Sequence, residues 1–192
     1  MRRFTVVLLT LLLLLTWGQA ALAFGRFGAT DLMYVPTSGT LADGAFGLYA
    51  NFSDGLAVLG MDIGLVPNLE LGVTALVADD WNTASLRLKY HLLTEKRDGF
   101  GLAVGIQDIG EYDMTPYVVV GKTLAPTLQG YVGVGGGQMD GVILGLSKEM
   151  RTMNGAILFL EYDSYDVNLG GRFRLSQDLG LDIGIVDLDS VV

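Results

Sequence analysis

The sequence predicts an all-β fold, a single antiparallel up-and-down transmembrane β-barrel of about 10 to 12 strands, and three observations predict it. Apolar residues recur at every second position in segment after segment, turn residues stand between the segments, and the polar sides hold Gly, Ala, Ser, Thr, Asn and Gln more than charge. Period-two alternation marks strands, because successive side chains leave a strand on opposite faces. No long stretch follows the 3.6-residue period of a helix.

The first element is an address. Arg2 and Arg3 form a positive start, residues 6–15 an apolar core, and Ala21-Leu22-Ala23 the small-x-small site read by signal peptidase. The apolar run over residues 4–17 falls short of the ~20 residues that a spanning helix needs. Residues 1–23 are therefore expected to be a cleaved signal peptide, with export to a bacterial outer membrane, and residues 24–192 one barrel domain. Every later apolar run is broken by Gly, Asp or a charge, which excludes a helical membrane protein.

Strands follow at 45–52, 56–65, 69–78, 83–92, 100–107, 117–122, 128–136, 141–148, 156–163, 167–175 and 179–188, with 28–35 as a twelfth candidate. In residues 83–92 the even positions are Ala84, Leu86, Leu88, Tyr90 and Leu92, and the odd ones carry Arg87, Lys89 and His91. Residues 100–107 set Phe100, Leu102, Val104 and Ile106 against Gly101, Ala103, Gly105 and Gln107. Residues 167–175 set Val167, Leu169, Phe173 and Leu175 against Asn168, Gly170, Arg172 and Arg174. Turn chemistry fills the gaps: Ser53-Asp54-Gly55, Val66-Pro67-Asn68, Asp98-Gly99, Ala125-Pro126-Thr127 and Asn154-Gly155. Short links make sequential strands neighbours, and an even strand count is the bacterial rule.

Sidedness separates a membrane barrel from a soluble one. A soluble sandwich keeps its apolar face inside and a charged face outside, and these polar faces are short of charge. Turned outward, the apolar rows meet lipid, while small and polar residues fill a narrow lumen. The charges on the polar rows then form a structural lumen cluster: Asp62, Glu70, Arg87, Lys89, Glu161, Asp163, Arg172, Arg174 and Asp182. A three-residue turn over 176–178 sets Arg172 opposite Asp182. Pairing offsets the several kcal/mol, on the order given for buried ions, that each would otherwise cost. Tyr34, Tyr90, Tyr112, Tyr117, Tyr162 and Tyr165 lie mostly near segment ends, where a barrel carries aromatic girdles.

Composition narrows the function classes. The absence of cysteine removes disulfides, thiolate metal sites and thiol nucleophiles. A formal charge of −9, or −11 once Arg2 and Arg3 are removed, repels phosphate backbones, so no nucleic-acid partner is expected.

Three stretches resemble the YjbH-like outer-membrane β-barrel family, which is associated with exopolysaccharide. Thr30-Asp31-Leu32-Met33-Tyr34-Val35-Pro36-Thr37, followed by Leu41 and Gly44, resembles its opening Pro-Thr segment. Leu88-Lys89-Tyr90-His91-Leu92-Leu93 with Ala103-Val104-Gly105-Ile106-Gln107-Asp108-Ile109-Gly110 resembles its central hairpin. Leu160-Glu161-Tyr162-Asp163 with Asn168-Leu169-Gly170 resembles its late Glu-Tyr-Asp and Asn-x-Gly pair. The resemblance implies outer-membrane lipid as surroundings, exopolysaccharide or its export machinery as partners, and no catalytic residue.

The residues themselves give little catalytic chemistry. His91 is the one histidine, a poor metal site alone, and no Gly-x-Ser-x-Gly elbow exists for it to serve. Glu161 and Asp163 share a strand face about 7 Å apart, a spacing compatible with glycoside hydrolysis, and acidic β-proteins produce such pairs routinely. Residues 130–137 fail the dinucleotide pattern at Gln138, and the spacing of acids in 108–113 is not that of an EF-hand. No enzyme, cofactor or metal is expected. The rival reading is a soluble secreted or periplasmic β-barrel that binds a ligand inside.

Overall fold

The computed structural model describes residues 28–53, 56–78, 81–111, 113–153, 155–175 and 180–188. The expected signal peptide and the 176–178 turn lie outside the described residues. Eleven strands follow one another: β1 Phe46–Ser53, β2 Leu56–Val66, β3 Leu69–Ala78, β4 Asn82–Leu93, β5 Gly101–Ile109, β6 Thr115–Ala125, β7 Leu128–Gly135, β8 Gly141–Met150, β9 Ala156–Tyr162, β10 Val167–Arg174 and β11 Gly180–Ile185. Each pairs antiparallel with its sequence neighbour, so the sheet order equals the chain order. That is the outcome of short links such as Pro67-Asn68, where Asn68 takes the left-handed φ of 72° that the tight turn demands.

Closure differs from expectation. Among the described residues β1 and β11 each pair on one side only, so the sheet is open and not closed into a barrel. With eleven strands, parity rules out an antiparallel closure. In a meander every strand reverses the last, so the first and last of eleven run the same way and no antiparallel ladder can join them. A twelfth strand at residues 28–35 would have restored the even count. That stretch is instead an irregular segment on the inner face of the sheet, hydrogen-bonded to side chains of β2, β3 and β9.

Alternation places the apolar rows outward. Leu86, Leu88, Tyr90 and Leu92 of β4 are exposed, as are Val142, Leu144 and Leu146 of β8 and Leu181, Ile183 and Ile185 of β11. The inward rows pair rings with glycines. Tyr49 stands opposite Gly60, Tyr117 opposite Gly105, Phe159 opposite Gly170, and Tyr131 between Gly121 and Gly145. A methyl group on Gly60 would meet the Tyr49 ring, and one on Gly105 the Tyr117 ring, so each glycine is the space in which a ring lies. Tyr117, near the start of β6, is therefore buried on the inward face and not on the outward face that a girdle occupies. A second core joins sheet and segment: Leu32 and Val35 pack with Met139, Ile143 and Phe159.

Candidate functional site

The polar rows of β2, β3, β4, β9 and β10 converge on residues 28–41. Strand register sets the geometry. Asp62, Gly72 and Arg87 form one row across β2, β3 and β4, and Glu70 stands opposite Lys89 one row along. Because Gly72 has no side chain, the Arg87 guanidinium reaches across β3 and pairs with the Asp62 carboxylate. Arg87 also lies 5.6 Å from the centroid of the Tyr49 ring, a cation–π contact.

The remaining charges clasp the segment. Asp62 Oδ2 accepts the Ala29 N–H at 2.5 Å. Glu70 accepts the Thr30 hydroxyl at 3.0 Å and the Leu41 N–H at 2.8 Å. Lys89 Nζ donates to Asp31 Oδ1 at 2.7 Å and to Thr30 Oγ1 at 2.8 Å. Glu161 accepts three consecutive backbone N–H groups, from Met33 at 3.1 Å, Tyr34 at 2.8 Å and Val35 at 3.2 Å. Arg172 holds Asp182, its cross-strand partner, through contacts of 2.9 and 3.1 Å, and donates to the Asp31 carbonyl at 3.0 Å. Irregular backbone inside a protein leaves N–H groups without a ladder, and these side chains supply the missing acceptors.

The nine sequence-predicted residues thus divide. Asp62, Glu70, Arg87, Lys89 and Glu161 are buried, and Arg172 and Asp182 nearly so. Asp163 lies at the end of β9, where its carboxylate caps the turn by accepting from Tyr165 and Asp166 at 3.1 and 2.9 Å. Arg174 is exposed at the end of β10, apart from the others. Glu161 and Asp163 are both engaged by N–H donors, and His91 Nε2 meets the carbonyl of Leu93. Asp31, which ties β4 to β10, was missed, because it stands in a stretch without alternation. The signal that marks it is an acid between Gly28 and Pro36 facing an inner row with two cations on β4.

At the end of the sheet formed by the β5–β6, β7–β8 and β9–β10 links lies a cavity of about 290 Å³. Tyr34, Gln107, Asp108, Gln138, Asp163 and Tyr165 are among its lining residues. Among the described residues, no group of three or more His, Cys, Asp or Glu is placed to hold a metal ion. Set against protein-family models, curated proteins and solved structures, the chain matches none.

Proposed function

We propose that the protein is a small outer-membrane β-barrel of the YjbH-like type, exported by its amino-terminal signal, with a structural or accessory part in exopolysaccharide export and no enzymatic one. The observation that carries this reading is the sidedness of the sheet: leucine, valine and isoleucine outside, ions inside. Apolar patches on soluble monomers rarely exceed a few hundred Å², whereas exposed apolar rows here run from β1 to β11. Hydrocarbon is the solvent that suits such an exterior.

Hydrocarbon also forbids open strand edges, since each unpaired N–H or C=O there costs several kcal/mol on the order given for buried polar groups. We place a seam between β1 and β11, which run the same way and would meet as a parallel pair. The curvature supports it, because β4 and β10 both reach Asp31. A ligand-binding soluble barrel fits less well, because the chain's own segment occupies the inner face. The same occupancy favours an accessory part over a conduit. Polysaccharide as partner rests on the three resembling stretches. The end cavity adds support, since two tyrosines with amides and carboxylates offer the flat faces and acceptors that sugar hydroxyls use.

Two experiments test the reading. Unboiled protein should run differently from boiled protein on a detergent gel and should fractionate with outer membranes; solubility without detergent defeats the membrane assignment. A strain lacking the protein should secrete less polysaccharide, and unchanged secretion removes the accessory role.

A further inference from the structure

Charge is almost absent from the outward rows. Along the eleven strands, the charged residues that stand in those rows among the described residues are Lys122 of β6 and Lys148 of β8. Both are exposed, both lie toward the same end of the sheet, and neither has a carboxylate within ion-pair distance among the described residues. Between them runs β7, whose outward row has a gap: Lys122 stands opposite Gly130, and Gly130 opposite Leu146. Lys148 stands opposite Leu128, one outward position further toward the sheet end. Around this gap an outward groove of about 610 Å³ is lined by Lys122, Leu124, Val132, Leu144, Leu146 and Leu160, together with Gly130.

Two strand spacings and a two-residue offset put the lysine Cα atoms roughly 12 Å apart. Each side chain can bend its ammonium toward the midpoint and toward water while its methylenes stay on the apolar wall. The basic residues of the described links and strand ends lie at the same end. Lys96 and Arg97 are in the β4–β5 link, Arg151 is in the β8–β9 link, and Arg174 ends β10. The acids there include Glu95, bonded to Thr123, Asp98, paired with Arg97, and Glu149 on the inner row. The described links at the opposite end carry Glu111, Asp113, Asp140, Asp163 and Asp166 and no Lys or Arg. A phosphate layer would favour the first end and repel the second.

We infer that this groove is a binding site for an anionic phospholipid, with one acyl chain lying over Gly130 against Leu146 and Leu160 and the phosphate between Lys122, which lines the groove, and Lys148, the next outward residue of β8 beyond it. The inference rests on the membrane reading and deepens it, since it also fixes which end of the sheet lies at the anionic headgroups. No covalent step is involved; the two ammonium groups replace counterions on the phosphate, and the groove excludes water from the chain.

The test uses the full chain folded in a non-ionic detergent, with native mass spectrometry reading retained lipid. Phosphatidylglycerol should stay bound where phosphatidylcholine of equal chain length does not. The double variant Lys122→Gln/Lys148→Gln should weaken retention about tenfold. Gly130→Leu should do the same with both lysines present. At that position the nearest atoms to a new Cβ belong to the flexible Leu124 side chain and not to backbone. Equal retention of the two lipids, or unaltered retention by the variants, overturns the inference. So does displacement of the lipid by inorganic phosphate alone, which would mark a free-anion site. Heat-dependent gel mobility of each variant reports folding separately. A barrel that inserts and yet ignores the headgroup loses this site only, whereas a chain soluble without detergent loses both readings.

Discussion

Lys89 on β4 and Arg172 on β10 end on the same residue, one 2.7 Å from the Asp31 carboxylate and the other 3.0 Å from its carbonyl oxygen. Five strands lie between them in the sheet, so their meeting is a measure of how far the sheet curls. It also makes Asp31 the pivot of the interior, because Thr37 N–H returns to the same carboxylate at 3.3 Å.

Asp31→Asn should therefore destabilise the fold by about 3 kcal/mol, the lower figure for leaving one member of a buried ion pair unmatched. Lys89→Met combined with Asp31→Leu should cost less than the sum of the single changes, since no charge is then stranded. Urea unfolding followed by heat-dependent gel mobility measures both; strict additivity would show that the pair is not coupled.

Glu161→Gln keeps the shape and halves the acceptor capacity, leaving an amide NH₂ facing backbone N–H donors. The cost should be about 2 kcal/mol by the rule for unsatisfied buried groups, and it should fall on the 28–41 segment and not on the sheet. Proteinase K should then cut near Tyr34 at least several-fold faster than in the unaltered protein, with the sheet core still resistant.

Leu88→Arg separates lipid from water. Leu88 is exposed on the outer face of β4. In a bilayer the arginine should cost about 2–4 kcal/mol near the midplane, seen as lower folding yield into phosphatidylcholine vesicles. In a water-soluble protein the same change would be nearly silent.

The seam can be read by cysteine pairs, since the chain contains no cysteine. Leu48 on β1 paired in turn with Leu181, Ile183 and Ile185 on β11 should give an intramolecular disulfide for at least one pair. Crosslinks between two chains instead would show that the edges are sealed by another copy.

Strand positions were legible because alternation is a local signal. Leu69–Ala78 is bounded in the sequence as it is in the structure, and Arg172 stands opposite Asp182 in the register expected from the sequence. The clasped segment was not legible. Residues 28–35 carry enough apolar side chains to look like a strand, and only the distant carboxylates, Glu161 above all, show that their N–H groups have acceptors outside a ladder. Arg174 illustrates the limit of a facing argument: it shares the inward row of Arg172, yet the strand ends there and the side chain escapes to the surface.

The three hydrogen bonds from residues 33–35 to Glu161 join positions 126 to 128 apart in sequence. Residues 33–35 must therefore wait for the β9–β10 hairpin, made much later, before their amides are satisfied. Loop closure over such a span is slow, so docking of this segment should be a late event in biogenesis, after most of the meander has formed. Until then the cationic and carboxylate rows stand without their ligand, and a chaperone that shields them would act during that interval.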